Sequence, residues 1–207
     1  MYLSIKKSKI ESSQISKNKV SNNINPYINV SGCIFINSPI YAKDLRISST
    51  KVVGTGIDLP LLSITQGNGL LDSVYFEGNQ MELGIYTNNN QGFLDISRSL
   101  FTGFEIGIRV MNGTISIDSS NFLNNSNYQI ENLTGTNINA TGNYWNSASP
   151  TIISSTIYDQ NDNLELGLVD FSNFLTEPST DAPISPPRDV AKTEDSDGEL
   201  NITWSAN

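Results

Sequence analysis

The sequence predicts an all-β fold, a parallel β-helix (solenoid) of about seven rungs, and three observations carry the prediction. One apolar template recurs along the 207 residues at intervals averaging about 22. The bends of that template fall on Asn, Gly and Ser, which tolerate tight turns. No repeat unit holds the roughly ten consecutive residues of helical periodicity that a crossover helix requires.

The template has two apolar residues two apart, a small residue three further on, and a large apolar residue five after the second. Taking the second as an anchor gives Ile5, Val30, Ile47, Leu71, Ile96, Ile117 and Ala140, spaced by 25, 17, 24, 25, 21 and 23. Two before each stand Leu3, Ile28, Leu45, Gly69, Leu94, Ile115 and Ile138, the alternation of a strand with one buried face, which only Gly69 breaks. Five after each stand Ile10, Phe35, Val52, Phe76, Phe101, Phe122 and Trp145, with no polar member. At ~4.8 Å between stacked strands, Phe35, Phe76, Phe101, Phe122 and Trp145 form a core ladder rather than a sugar-stacking strip. Two further on, Ser12, Asn37, Gly54, Gly78, Gly103, Asn124 and Ser147 make bends, and Ile85, Ile108 and Ile130 mark a third short strand per unit. A leucine-rich horseshoe of similar period demands Leu at fixed offsets and a helical back, which these anchors do not provide.

Composition agrees. Apolar residues make up 37% of the chain, enough for a core but a slender one, and 26 residues are Asn. A net charge of -9 excludes nucleic acid as a partner, since phosphate binding needs a basic face. Eight of twelve Lys and Arg lie within residues 1–51 and eleven of 21 Asp and Glu within 159–199, spread as a solvated surface. With no His in the chain, His acid–base catalysis and His-ligated metals are excluded. The single cysteine, Cys33, sits in an apolar run as a small buried thiol. No window is long and apolar enough for a membrane-spanning helix, and "MYLSIKKSKI" lacks the hydrophobic stretch of a signal peptide, so a signal for export is expected upstream.

The C-terminal end of the repeat carries a resemblance. "GNYWNSASPTI" (142–152), "IYDQND" (157–162) and "LGLVDFSNFLTEP" (166–178) resemble, in that order, the closing segment of right-handed parallel β-helix repeat proteins of pectate-lyase-like fold, many of them exported and bacterial. The resemblance spans residues 1–178, with 142–178 as the closing segment, and implies a right-handed coil whose relatives meet polysaccharide. Residues 179–187, ending in "DAPISPP", read as a Pro-rich linker. In 188–207, Val190 precedes Leu200, Ile202 and Trp204 at strand spacing, and this stretch resembles the first two strands of a fibronectin type III sandwich. Two strands do not fold alone, so the chain is read as a piece of a larger multidomain protein.

Few residues point to a site. Asp72 and Asp118 each follow an anchor, on one face and about 9–10 Å apart, too far to share a calcium whose ligands lie at about 2.3–2.6 Å. Arg98 and Arg109 match a lyase base or a carboxylate clamp in type only. No catalytic residue is assigned. In "YDQNDNLE", Asp159, Asn161, Asn163 and Glu165 alternate like the oxygen ligands of a calcium loop, but Leu164 stands where an EF-hand needs Gly, so a turn is preferred and no cofactor is expected, with calcium here the alternative. Tyr86, Tyr128 and Tyr144 are the candidate sugar contacts, Tyr144 because it shares a position with Tyr75, Leu100 and Asn121 rather than with the aromatic column. Sequons at Asn112, Asn124, Asn132, Asn139 and Asn201 are assigned no role.

The expectation is a non-catalytic binding or spacing segment of an extracellular or cell-surface protein, with a polysaccharide or cell-surface glycan as partner. Two alternatives stay open: the distal part of a polysaccharide lyase or glycoside hydrolase whose catalytic rungs lie upstream, and an adhesin stalk without a ligand.

Overall fold

The computed structural model describes residues 2–11, 15–16, 27–38, 40–42, 44–56, 59–183, 188–194 and 200–205. Ser12 of the expected bend column, residues 184–187 of the linker and residues 206–207 lie outside them.

The chain is an all-β parallel solenoid with three strands to a coil. One coil shows the path: Gly69–Asp72 on a first face, Tyr75–Glu77 on a second, and Leu83 onward on a third. There the third-face strand continues without a break into the first face of the next coil, as the long strand Leu83–Ser97; Ile106–Asp118 repeats this. Like positions of successive coils pair in parallel. Ile28, Leu45, Gly69, Leu94 and Ile115 stand side by side, as do Val30, Ile47, Leu71, Ile96 and Ile117.

The anchors therefore share one register, but the solenoid makes about five turns rather than seven. Seven strands enclose one turn fewer than their number, and the turn between Tyr2–Lys6 and Tyr27–Ser31 passes through residues 17–26, outside the described ones. Five turns run from Tyr27 to Asn139, before the longer closing excursion to Val169.

Gly69 breaks the apolar column for a steric reason. A Cβ there would lie 2.7 Å from both Ile64 Cδ1 and Leu94 Cδ1, so the branched neighbours already fill that space.

The first corner, directly after each anchor, is one that the repeat template does not mark. Two residues after each anchor stand Lys7, Gly32, Ser49, Ser73, Arg98, Ser119 and Gly142, all left-handed, with φ between 45° and 70°. Five of the seven are not Gly, and each non-Gly residue there costs about 1 kcal/mol or more. The ladder offsets that cost, because the corner amides still bond the next coil: Lys7 N–H donates to Ser31 O at 3.1 Å, Ser49 to Asp72 O at 3.1 Å, Ser73 to Ser97 O at 3.2 Å and Arg98 to Asp118 O at 3.2 Å. In the expected bend column Asn37, Gly103 and Asn124 are left-handed, and Gly54 and Gly78 are not.

Two ladders run inside. The aromatic one stacks Phe76 on Phe101, Phe101 on Phe122 and Phe122 on Trp145, with ring centroids 5.0, 5.1 and 4.8 Å apart and planes within 14°. Phe35 is buried in the same column, separated from Phe76 by Val52. Beside this stack, the residue three after each anchor from Val30 onward is buried, and the column Cys33, Thr50, Val74, Ser99, Ser120 and Asn143 is a polar ladder interrupted only at Val74. Each Thr or Ser hydroxyl donates to the carbonyl two residues back and accepts an N–H from the coil before it. The Cys33 thiol takes the same place, donating to Ser31 O at 3.3 Å.

The closing segment opens with the helix Pro150–Ser155, whose Ile153 is buried. Phe171 then meets Trp145 edge-on at 6.4 Å and 71°, ending the stack. Beyond it, Arg188–Glu194 and Leu200–Ser205 pair antiparallel, placing Leu200, Ile202 and Trp204 at alternate positions of one strand.

Candidate functional site

Outward positions of the first face fall into two columns flanking the anchors. One column holds Asn29, Arg46, Leu70, Asp95 and Ser116, and the other Ser31, Ser48, Asp72, Ser97 and Asp118. Where the coils from Arg46 to Asp118 lie side by side, these side chains line an open cleft of about 600 Å³, with Arg98 at its edge. Three spacings of ~4.8 Å make this about 14 Å along the solenoid.

The charges are arranged rather than scattered. Arg98 Nη2 lies 2.7 Å from Asp72 Oδ1, which also accepts the Ser97 hydroxyl at 3.2 Å and the Ser73 hydroxyl at 3.5 Å. Burial works to raise the Asp72 carboxyl, but the hydrogen bond and charge of Arg98, helped by the two hydroxyls, hold it below the ordinary carboxylate value. Asp95 goes the other way. Partial burial, and then the like charge of Asp118 in the next coil, raise it. The cleft thus holds one neutralised pair, two carboxylates that repel each other, and Arg46 at the far end.

Because the folded-state pKa of Asp95 lies above its unfolded value, ionised Asp95 costs stability at neutral pH and protonation removes that cost. Asp95→Asn is expected to stabilise the protein at pH 7 by up to about 0.5 kcal/mol, a figure kept small because the group is largely exposed and screened. The gain should vanish as pH falls below the ordinary carboxyl value of 3.8. Urea unfolding at pH 7 and pH 3 measures it, and a gain persisting at pH 3 rules out a charge effect.

The sequence reading marked Asp72, Asp118 and Arg98, which the fold does bring to one cleft, and passed over Asp95, Arg46 and Ser116. Those lie in the column before the anchor, and reading both outward columns would have found them. Arg109 is on the third face, in an ion pair with Glu131.

The three tyrosines do not converge. Tyr86 is half-buried in an outward third-face row with Ser63, Arg109, Glu131 and Tyr158. Tyr128 lies two coils further along that face, its ring 5.6 Å from that of Tyr158 and tilted by 52°. Tyr144 is half-buried on the second face, bridged to Asn121 and Leu175.

The loop from Asp159 folds on itself. Asp159 is buried, its Oδ1 accepting the Asn161 N–H at 2.9 Å and its Oδ2 the Val169 N–H at 2.8 Å, while Asn163 Oδ1 accepts the Glu165 N–H at 3.1 Å. Asn161, Asn163 and Glu165 are exposed. The alternation of oxygens is thus that of side chains capping a turn. Among the described residues no three Asp, Glu or Cys gather in a way that could hold a metal ion.

Fold and cleft together define a parallel β-solenoid with a polar, charge-bearing groove on one face. No protein-family model, curated protein or solved structure matches the chain.

Proposed function

We propose that this segment is a non-catalytic binding module of an exported or cell-surface protein, a right-handed β-helix of pectate-lyase type that holds an extended carbohydrate along the first-face cleft. The observation that carries the reading is the cleft itself. It is open and runs across adjacent coils, and serine hydroxyls and carboxylates recur from coil to coil along it beside Arg46 and Arg98, suiting a polymer with a repeating array of hydroxyls. The resemblance of the closing segment to polysaccharide-meeting relatives supports carbohydrate over other polymers, as an analogy at the level of the fold. Residues 188–207 fit the opening of a fibronectin type III spacer.

Titration of the 15N-labelled chain with a panel of neutral, uronate and amino-sugar oligosaccharides tests the reading. At least one class should shift the amides of residues 46–48, 70–72, 95–98 and 116–118. For that glycan, Arg98→Ala or Asp118→Ala should weaken binding about tenfold or more, the worth of one charge-assisted hydrogen bond. Shifts confined to the tyrosines of the third face would move the site, and no shift with any glycan would leave a stalk. Release of shortened products would make the chain part of an enzyme.

A further inference from the structure

The outward column that precedes the anchors on the first face carries opposite charges with an apolar step between them. In register it runs Arg46, Leu70, Asp95 and Ser116. Arg46 and Asp95 are exposed, Leu70 is half-buried, and all three line the cleft. Two coil spacings, about 10 Å, separate the backbones that carry the two charges, a length that one or two linked sugars bridge. Neither charge is spent within the fold: among the described residues the side chains of Arg46 and Asp95 take part in no ion pair and no side-chain hydrogen bond.

The rest of the cleft sharpens this asymmetry. Arg98 lies 2.7 Å from Asp72, so its charge is already balanced and Arg46 is the cation left for an incoming anion. At the other end Asp118, beside Ser97 in the next coil, adds a second carboxylate to that of Asp95. Burial first, and then the charge of Asp118, raise the Asp95 carboxyl, and a cation seated between the two would relieve that repulsion. A polymer of uronates alone would therefore meet one open guanidinium and two opposed carboxylates. A polymer of amino sugars alone would set its ammonium groups against Arg46, and neutral sugars would use neither end.

We propose that the ligand of the cleft is a zwitterionic glycan, a chain carrying both uronate carboxylates and free amines, with a carboxylate on Arg46 and an ammonium between Asp95 and Asp118. Leu70 is then the shelf against which the intervening ring packs, and Ser48, Ser97 and Ser116 supply hydroxyls beside it. The assignment rests on the glycan reading of the cleft and adds to it the charge of the ligand and the direction in which it lies.

Calorimetric titration of the whole chain at low ionic strength tests it with three oligosaccharides of equal length: one alternating glucuronate with free glucosamine, the same chain fully N-acetylated, and a neutral N-acetylglucosamine oligomer. The zwitterionic chain should bind about fivefold or more tighter than its N-acetylated form, the worth of one exposed ion pair. Replacing both carboxylates, Asp95→Asn with Asp118→Asn, should remove that preference. Arg46→Gln should weaken both uronate-bearing chains and leave the neutral one unchanged. Equal binding of the free-amine and N-acetylated chains, or a preference that survives the double variant, would overturn the zwitterion and keep the glycan cleft. So would an Arg46→Gln variant that binds every chain as wild type does. Binding by none of the three would overturn the zwitterion as well, and silence across the neutral, uronate and amino-sugar panel would remove the glycan reading with it.

Discussion

Phe101→Ala is expected to destabilise the protein by about 3–5 kcal/mol, at the upper part of that range. Phe101 is fully buried and stacks on a ring at each side, 5.0 Å from Phe76 and 5.1 Å from Phe122. The cost of a truncation depends on how far the site can collapse, and here it cannot collapse along the stack. The spacing of coils is fixed by parallel ladders on every face, so Phe76 and Phe122 cannot move together to close the gap. The lost contacts also sit in mid-solenoid, where each coil is stabilised only by its neighbours, so the defect weakens the coupling between the two halves. Chemical denaturation of Phe101→Ala beside Phe93→Ala provides the measurement. Phe93 is the same side chain on the surface, and its loss should cost less than about 1 kcal/mol. Similar costs for the two would mean that the aromatic column is not the core.

How much of this was legible in the sequence depended on whether residue type and period agreed. The inward columns were, because an inward position of a coil is apolar for one reason only, and seven anchors repeat it. Phe101 and Trp145 could be assigned to one stack from spacing alone. The corner after each anchor was not legible, since Ser49, Ser73, Arg98 and Ser119 are residue types that carry no signal for a left-handed backbone. That conformation is imposed by the inter-coil hydrogen bonds, which exist only once the coils are stacked. Turn number was overstated because anchors count strands, not turns. The cleft was half legible: Asp72 and Asp118 stood out as a same-column pair, while Asp95, on the diagonal between columns, becomes the neighbour of Asp118 only in the folded register. Nothing in the Ser-Thr-Asp-Ala stretch at 179–182 says that its first residue would bond back to Asn121, 58 positions earlier.

Asn143→Leu is expected to cost about 3–6 kcal/mol although it keeps the γ-branched shape of the side chain. The side chain is buried at the end of the polar ladder, where its amide makes three bonds of 2.8 Å or shorter and a longer one to Thr141 O at 3.4 Å. Its Oδ1 accepts the Ser120 N–H at 2.8 Å, and its Nδ2 donates to Ile117 O at 2.8 Å and Ala140 O at 2.7 Å. Leucine would leave one backbone donor and two backbone acceptors dry and unpaired, each costing about 1–3 kcal/mol. The Thr and Ser rungs of the ladder need only a hydroxyl. Ser120 and Ser99 each accept one N–H and return their proton to a carbonyl two residues back. Asn143 does more because Ala140 ends the run of large anchors, and its amide ties the last coil to the one before. Asn143→Ser gives up volume but restores the ladder's own chemistry, an oxygen for the Ser120 N–H. If hydrogen bonding governs the position, Asn143→Ser is the milder change and Asn143→Leu the severe one; if packing governs it, their order reverses. Urea midpoints of the two variants, measured with equal m-values, decide between them. A milder leucine would reduce the polar ladder to a by-product of the stacked coils.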